Sequence, residues 1–418
     1  MITARKLLGL LAAGLLTIAG PAAAKPRAAV LDAAAVASPD QYGAEAAREV
    51  LKKGGNAVDA AVATAFALAV TYPEAGNLGG GGFMTLYVGG KPYFLDYRET
   101  APARASAGMY LDPKGQPIVS LSLVGSLSAG VPGTVRGMAE AHRRFGKLTW
   151  AQDLAPAIRY ARDGFVVPPA LARERDGARG DFAKVTNFDR YFGGMSPGQP
   201  FRQPELAATL ARIAKGGARE FYEGRTADLL VAQMARGPTR GVIGKGDLAH
   251  YKAVWRAPLQ GDWQGYRLIT APPPSSGGVA LMQMLAMKAD AAPLFQGQAL
   301  NSPQYLHLVS EIEKRVFADR AEYLGDPDFV KVPVGPLTDP AYLARRAREI
   351  DPAKPSATAL VKPGLEKPQT THFSIVDRWG NAVSNTYTLN GGFGAGVVVE
   401  GAGFLLNDEM DDFSVKPG

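Results

Sequence analysis

The chain has 418 residues, of which 46% are apolar, and this content rules out disorder and suffices for one large domain or two of ordinary size. Lysine and arginine number 46 against 39 acidic residues, but the excess is scattered and is not interleaved with aromatic residues, so nucleic acid is not an expected partner. Cysteine is absent, which excludes disulfides, thiolate nucleophiles and cysteine-based zinc sites and leaves only an oxygen or an amine as a nucleophile.

The N-terminal segment has the composition of a secretory signal peptide. Arg5 and Lys6 precede an apolar run over residues 7–19, and an Ala-x-Ala exit follows at residues 22–24. The apolar run is shorter than the roughly 20 residues that a membrane-spanning helix needs, which disfavours the alternative of an uncleaved anchor. We therefore predict that residues 1–24 are removed, that the protein is periplasmic or secreted, and that no later segment enters a membrane.

The next segments predict two helices and a β-hairpin. Residues 40–53 have a helical pattern that ends at a Gly-Gly pair, and Asn56 is placed to cap a second helix. This second helix is apolar on almost all sides, which predicts that it is buried. Residues 83–88 and 93–98 alternate around another Gly-Gly pair, and this pattern is typical of a hairpin.

The remaining pattern places most helices before a proline-rich connection and the last strands after it. Helical patterns occur at residues 134–145, 150–163, 204–215, 226–236 and 302–323. Residues 351–369 contain four prolines and no sustained apolar period, which predicts an exposed, flexible connection. Strands are predicted at residues 371–376, 382–389 and 403–406. This order predicts an α+β or layered α/β/β/α fold rather than a regular βαβ repeat.

Two sets of residues that often form sites lack the required spacing. The histidines are scattered without a His-Glu-x-x-His pair, so no metal site is predicted, and each is expected to pack or to lie on a helix surface: His142, His250, His307 and His372. The glycine run at residues 79–82 lacks the pattern of a phosphate or dinucleotide loop. It fits equally a tight turn where backbone passes close to backbone and a wall of a substrate cleft.

Thr370 stands at the border between the proline-rich connection and a predicted strand. A threonine hydroxyl is a poor nucleophile without an adjacent base, but a threonine at a chain N-terminus carries that base as its own α-amine. Cleavage between Gln369 and Thr370 would supply this amine. The simpler interpretation is that Thr370 and Thr371 are β-favouring residues that start a strand, and the local pattern alone favours it.

Seven strings in register carry a resemblance to a known family: GGNAVDAAVAT, NLGGGGFM, DYRETAP, PPPSSGG, QTTHFSIVD, NTYTLN and NDEMDDFSVKPG. Together, from about residue 36 to residue 418, they resemble the γ-glutamyltransferase (γ-glutamyltranspeptidase) family of N-terminal-nucleophile hydrolases. The resemblance implies the αββα sandwich of that superfamily and a precursor that cuts itself before the first threonine of the TTH string. It therefore implies a large subunit of residues 25–369, a small subunit that starts with residues 370–418, and no cofactor or metal.

The resemblance also assigns the reacting groups. It implies that Thr370 attacks the γ-carbonyl of glutathione or a related γ-glutamyl compound and forms an acyl-enzyme. Water, or the amine of an amino acid or peptide acceptor, then releases the glutamyl group. By the same similarity, the hydroxyl of Thr388 supports the nucleophile's amine.

Four residues are expected to bind the two charged groups of the substrate, its α-carboxylate and its α-ammonium. By similarity, Arg98 binds the α-carboxylate, for which a guanidinium fork is well suited, and Asp412 binds the α-ammonium. Asn390 and Glu409 complete the ammonium site. Taken one at a time, Arg98 and Asp412 would be read as ordinary surface residues, and only their place in matched strings changes that interpretation.

The family's chains continue beyond the position of Gly418 with further strings, one of which forms the oxyanion hole. We therefore expect the sandwich to lack its C-terminal strands and the chain to be a fragment of a longer product or inactive as it stands. Three functions stay open: a γ-glutamyl hydrolase or transferase, a glutaryl or cephalosporin-type acylase of the same superfamily, and a non-catalytic truncated member. The acid at Asp412 argues against the acylase, since its substrates lack the α-ammonium.

Overall fold

The computed structural model describes residues 33–357, 370–413 and 415–416. The predicted signal peptide lies outside the described residues, and so do residues 358–369 of the predicted connection. In the part that is described, no helix combines the length and the apolarity needed to cross a membrane.

Among the described residues, six strands form one sheet in the order β1-β9-β10-β2-β3-β6, and every neighbouring pair is antiparallel. Two further sheets, β4-β5 and β7-β8, have two strands each within the same residues. The strands are β1 (Ala35–Ala37), β2 (Gly81–Val88), β3 (Lys91–Asp96), β4 (Phe165–Val166), β5 (Pro200–Phe201), β6 (Val254–Arg256), β7 (Leu259–Trp263), β8 (Tyr266–Thr270), β9 (Thr370–Val376) and β10 (Ala382–Thr388).

Helices account for most of the regular structure, and α2 and α4 pack against the large sheet. In chain order they are α1 (Gln41–Lys52), α2 (Ala57–Thr71), α3 (Ser120–Leu123), α4 (Thr134–Phe145), α5 (Trp150–Asp163), α6 (Pro169–Phe182), α7 (Phe188–Phe192), α8 (Pro204–Gly216), α9 (Ala218–Glu223), α10 (Arg225–Met234), α11 (Lys245–His250), α12 (Gly277–Asp290), α13 (Ala292–Phe295), α14 (Pro303–Tyr323), α15 (Val334–Leu337) and α16 (Pro340–Arg348). Short 3₁₀ turns occur at Ser126–Ser128 and Glu409–Asp412. The α+β class is confirmed.

The buried helix predicted after Asn56 is confirmed as α2. Asn56 accepts hydrogen bonds from the backbone N–H groups of Val58 and Asp59, and Asp59 accepts one from Asn56, so the two form a capping box. All residues of α2 are buried, and the helix packs on β9 and β10. Tyr387 of β10 donates a hydrogen bond to the carbonyl of Ala65 at 3.0 Å, which fixes the helix on the sheet. This packing holds the central strands in place.

The alternation of β9 and β10 leaves one face of the sheet in the core and the other open. Val383, Asn385 and Tyr387 are buried, whereas Ser384 is exposed and Thr386 half-buried, because successive side chains point to opposite faces. Thr388 has the same parity as Ser384 and Thr386. It therefore belongs to the open face, at the end of β10.

A second apolar cluster is formed by α12, α14 and α16. It anchors the start of the predicted connection, since Glu311 of α14 accepts hydrogen bonds from the Ser356 backbone N–H at 2.9 Å and from Arg315 at 2.9 Å. His307 also contacts the carbonyl of Asp351 at 3.0 Å. Residues 351–357 are therefore held against a helix, which corrects the prediction of a connection that is flexible throughout.

One other prediction needs correction. The strand predicted at residues 403–406 does not form, and Leu405 and Leu406 instead make isolated bridges to Val398 and Gly79. Gly401 and Gly403 take φ angles of 79° and 78°, which interrupt extended backbone before a strand can begin. Of the layers that the resemblance implies, the described strands form one large sheet, and the expected sandwich was one that lacks its C-terminal strands.

Candidate active site

The two threonines with predicted catalytic roles lie opposite each other at one end of the central strands. The register of β9 and β10 pairs Thr370 with Thr388, and the register of β10 and β2 pairs Thr388 with Gly81. The Thr388 hydroxyl accepts a hydrogen bond from the Asn390 backbone N–H at 2.8 Å. The backbone thus brings Thr370, Thr388 and Asn390 to one place.

The glycine run beside them is required by close backbone contacts. A Cβ at Gly80 would lie 2.1 Å from the carbonyl oxygen of Thr388, and a Cβ at Gly82 would lie 2.3 Å from that of Thr386. Both distances are far below van der Waals contact, so no larger residue fits without moving β10. The run is not a tight turn, because Gly81 and Gly82 begin β2, but it does pass directly beside the threonine pair.

Arg98, just after β3, bonds to both predicted acids. Its Nη2 donates hydrogen bonds to Glu409 and to Asp412. The side chain of Arg98 is 33% exposed, that of Glu409 is 3% exposed and that of Asp412 is 50% exposed. The cluster therefore has a buried end at Glu409 and an end open to solvent at Asp412, which a small charged ligand can reach.

The backbone of Arg98 is fixed from both sides. Its N–H donates a hydrogen bond to Asp96 at 3.0 Å, and its carbonyl accepts one from the Tyr251 hydroxyl at 2.8 Å. Asp96 in turn pairs with Arg256 of β6 at 2.8 Å. These contacts position the guanidinium before any substrate binds, which reduces the entropy lost on binding.

Glu99 adds a third carboxyl group to the cluster. Its side chain is fully buried, lies 3.9 Å from the Arg98 Nε, and neither oxygen has a hydrogen-bond partner among the described residues. Burial, together with the Glu409 charge, raises the pKa of Glu99 well above its usual value. The Glu99 carboxyl group, close to the Arg98 guanidinium, is therefore more easily protonated than that of an exposed glutamate.

Two other carboxyl groups titrate near neutrality. Burial raises the pKa of Glu409 to about 7, although Arg98 opposes the shift. Burial also raises the pKa of Asp408 to about 8. For Arg98, burial acts to lower the pKa, but Glu409, Glu99 and Asp412 outweigh it and keep the guanidinium charged. One cation therefore faces the Asp412 and Glu409 carboxylates, and this negative surplus suits a substrate ammonium group.

The Asn390 turn is locked to the loop that carries Glu409. Asn390 has a φ of 78°, and its side-chain amide donates a hydrogen bond to the Asp408 carbonyl at 3.1 Å. The Asp408 carboxylate accepts a hydrogen bond from the Gly391 backbone N–H at 2.8 Å. The predicted residues Arg98, Asn390, Glu409 and the threonine pair are therefore parts of one connected region.

Sequence reasoning did not identify several residues of this region. Glu99, Asn407 and Asp408 are buried polar residues, and Asn407 donates hydrogen bonds to the carbonyls of Gly79 and Gly130 at 2.7 Å and 2.8 Å. Ser122 donates one to Asp411 at 2.6 Å. Glu99, Asn407 and Asp408 lie inside matched strings, but only the folded structure distinguishes their buried side chains from surface ones.

The comparisons with known proteins agree on one family. The family model described as Gamma-glutamyltranspeptidase matches residues 43–418. The chain is 65% identical over 391 residues to the glutathione hydrolase proenzyme of Pseudomonas aeruginosa, and the match covers 94% of this chain and 70% of that protein. The chain spans between 65% and 70% of the lengths of three such proenzymes.

Two solved structures of N-terminal-nucleophile hydrolases have similar folds. The gamma-glutamyltranspeptidase from Pseudomonas nitroreducens complexed with L-DON is 62% identical with a TM-score of 0.78, and the match covers 80% of this chain and 100% of that chain. The cephalosporin acylase from Bacillus halodurans is 29% identical with a TM-score of 0.79, and the match covers 96% of this chain and 74% of that chain. The chain therefore belongs to the gamma-glutamyltranspeptidase family, and it is a γ-glutamyl hydrolase or transferase.

Proposed function

We propose that this chain hydrolyses or transfers the γ-glutamyl group of glutathione and related compounds after cleaving itself between Gln369 and Thr370. The single observation that carries the proposal is the Arg98 guanidinium bonded to Glu409 and Asp412 in the region that holds the paired ends of β9 and β10. The P. aeruginosa relative is a glutathione hydrolase proenzyme, which supports both the substrate and the precursor. The large subunit would be residues 25–369, and the small subunit would start at Thr370.

The chemistry follows from the new N-terminus. Once Thr370 carries a free α-amine, the amine accepts the hydroxyl proton while the oxygen attacks the γ-carbonyl carbon. The leaving amine takes this proton from the α-ammonium and departs, and an ester to Thr370 remains. Water or the amine of an amino acid or peptide then attacks that ester and restores the hydroxyl. The Thr388 hydroxyl, opposite Thr370 in the register, is the group proposed to orient the amine.

Substrate charges would replace part of the Arg98 cluster's own pairing. The substrate α-carboxylate competes with Glu409 and Asp412 for the Arg98 guanidinium. The α-ammonium is attracted to Glu409 and Asp412, which then pair with both Arg98 and the substrate. The Asn390 side chain donates a hydrogen bond to the carbonyl of Asp408, the residue before Glu409. Its carboxamide therefore supplies a neutral partner for the ammonium. A γ-glutamyl group therefore exchanges one set of ion pairs for another instead of leaving any charge unpaired.

We further propose that the protein is exported. The signal-like segment over residues 1–24 supports this, and the absence of cysteine fits an oxidising compartment. Removal of that segment would leave a periplasmic or secreted enzyme. N-terminal sequencing of secreted material that begins at Lys25 would support this assignment, and a mature chain that retains Met1 would refute it.

The function is tested by assay and electrophoresis of the purified gene product that contains this chain. We expect two bands of unequal size on a denaturing gel and release of p-nitroaniline from γ-glutamyl-p-nitroanilide. Glutaryl-p-nitroanilide, which lacks the α-ammonium, separates this function from the acylase that the cephalosporin acylase neighbour suggests. A preference for the glutaryl compound would replace the proposed function by an acylase, and no turnover of either would favour a non-catalytic family member.

Asp412 should determine the preference for the γ-glutamyl group. Replacement of Asp412 by Asn removes a charged partner of the α-ammonium, so kcat/KM for γ-glutamyl-p-nitroanilide should fall by about 10- to 100-fold. Turnover of the glutaryl compound should change little. The matched control is Asp411→Asn, since Asp411 bonds to Ser122 rather than to Arg98. An equal loss with both substrates would show that Asp412 does not bind the ammonium.

The KM for γ-glutamyl substrates should fall as the pH rises from 6 to 8. The pKa of Glu409 is raised to about 7, so this acid is largely neutral at pH 6 and attracts an ammonium ion only above its pKa. The expected change in KM is roughly tenfold. The charged and titratable groups that face Glu409 are Asp408, Glu99, Asp412 and Arg98. Of these, Asp408 has a pKa raised to about 8, so its ionisation extends the fall in KM toward higher pH. In Glu409→Gln the step near pH 7 should disappear, and a step that persists there would assign it to another group.

A further inference from the structure

A compact group of potential metal ligands lies at the meeting point of three helices. Asp59 is in the first turn of α2, His142 in the last turn of α4 and Asp153 in the first turn of α5. The His142 Nε2 lies 3.5 Å from an oxygen of Asp153 and 4.0 Å from an oxygen of Asp59. The carbonyl oxygen of Leu148 is 2.9 Å from the same nitrogen. Three oxygen atoms that could bind a metal therefore lie within 4.0 Å of the His142 Nε2.

Asp153 is the anomalous member of this group. Its side chain is fully buried, and neither oxygen has a hydrogen-bond partner among the residues that the structure describes. Asp59, equally buried, accepts backbone hydrogen bonds from Asn56, Lys147 and Leu148 at 2.8 to 3.1 Å. A buried carboxylate without hydrogen bonds is costly unless a cation or a proton neutralises it. The Asp153 carboxyl group is therefore expected either to carry a proton or to contact a cation.

The donor set suits a divalent transition metal. Two carboxylates and a neutral imidazole carry a charge that a divalent cation balances, and zinc accepts nitrogen and oxygen ligands together. Zinc bonds of about 2.0 to 2.2 Å place tetrahedral ligand atoms about 3.4 Å apart, close to the observed spacing around His142 Nε2. The backbone N–H groups of Lys147 and Leu148 donate hydrogen bonds to Asp59 and would hold its carboxylate in one orientation, as groups around metal ligands commonly do.

We propose that Asp59, His142 and Asp153, with the Leu148 carbonyl, bind one zinc ion as a structural site that ties α2, α4 and α5 together. This goes beyond the packing role predicted for His142, whose ring also lies edge-on to Trp150 with centroids 5.3 Å apart. The ion would replace the Nε2 proton that now points to Leu148. It would take no part in γ-glutamyl transfer.

The site is far from the proposed nucleophile. The Ala57 N–H, two residues before Asp59, donates a hydrogen bond to Asp377, which directly follows β9, whereas Thr370 begins that strand. The length of β9 separates these ends by roughly 20 Å. Loss of the ion should therefore leave the chemistry intact, which makes metal binding separable from the function proposed above.

The competing occupant is a proton. Burial, reinforced by the Asp59 charge, raises the pKa of Asp153 to about 9, so a protonated Asp153 would also relieve the cluster. The two occupants differ in a measurable way. A shared proton predicts no metal in the protein and no saturable metal binding, whereas the zinc site predicts both.

The test uses the untagged gene product, because a histidine tag would bind zinc itself. Metal content is measured by inductively coupled plasma mass spectrometry after dialysis, and zinc affinity is measured by competition with a chromophoric chelator. We expect one zinc per chain, with affinity reduced about 10- to 100-fold in Asp153→Asn. The control is His250→Gln, which removes an exposed histidine outside the cluster and should bind zinc like the wild type.

A double variant, His142→Leu with Asp153→Leu, keeps the result interpretable if the single variant folds poorly. It replaces the buried polar pair by apolar side chains, so it should fold, retain γ-glutamyl hydrolysis and bind no zinc at this site. An X-ray anomalous signal at the zinc edge between the three helices would confirm the position. Absence of saturable zinc binding by the wild type, or equal zinc affinity in wild type and Asp153→Asn, would overturn the proposal and leave the shared proton.

Discussion

Replacement of Thr370 by alanine should leave the precursor uncut and remove turnover of γ-glutamyl-p-nitroanilide. The variant lacks the hydroxyl that attacks the substrate, and without cleavage it has no α-amine to act as base. The expected loss is on the order of 10⁶-fold, as for removal of a nucleophile from other hydrolases. Denaturing electrophoresis should show one band, and the assay should give the rate of uncatalysed hydrolysis.

Thr371→Val is the matched control for this substitution. Thr371 is 3% exposed, and its hydroxyl has no hydrogen-bond partner among the described residues, so a valine of similar shape should be nearly neutral for stability. This control should cleave and turn over like the wild type. Thr370→Ser, which keeps a hydroxyl, should retain measurable cleavage. The proposed mechanism fails if Thr370→Ala still yields a small subunit that begins at residue 370 and an active enzyme.

Replacement of Arg98 by glutamine should weaken both substrate binding and the fold. The substitution removes the partner of the substrate α-carboxylate, so KM should rise by about 10- to 100-fold. It also leaves Glu409, 3% exposed, without its cation, and breaking a buried ion pair in this way commonly costs about 3 to 5 kcal/mol of unfolding free energy. Steady-state kinetics measure the first effect, and denaturant unfolding measures the second.

Two further variants separate charge from geometry at this position. Arg98→Lys keeps the charge but loses the planar fork, so it should recover most of the stability and only part of the affinity. Arg104→Gln is the control, because Arg104 is exposed and bonds to the carbonyl of Val242 rather than to the acids. An unchanged KM in Arg98→Gln would mean that another group binds the α-carboxylate.

The sequence by itself determined the local elements and the family. The helical pattern over residues 40–53 is α1, Asn56 begins α2 where its capping side chain predicted, and the apolar run after Asn56 is buried. The hairpin around Gly89-Gly90 and the strands β9 and β10 also lie where the alternation placed them. These features are local, since capping, turn formation and period-two alternation depend on residues a few positions apart. The seven matched strings added the family, whose membership the comparisons confirm.

Only the tertiary structure decided which distant residues share one site. Arg98 bonds to Glu409 across 311 positions of sequence, and no local pattern predicts that the buried Glu99 lies beneath them without a hydrogen-bond partner among the described residues. The glycine run could be explained only when β10 was found beside it, and the strand predicted at residues 403–406 fails because neighbouring glycines take positive φ. The cluster of Asp59, His142 and Asp153 likewise exists only through the packing of three helices. Burial and charge pairing depend on which distant residues the fold brings together, and local sequence patterns do not reveal these contacts.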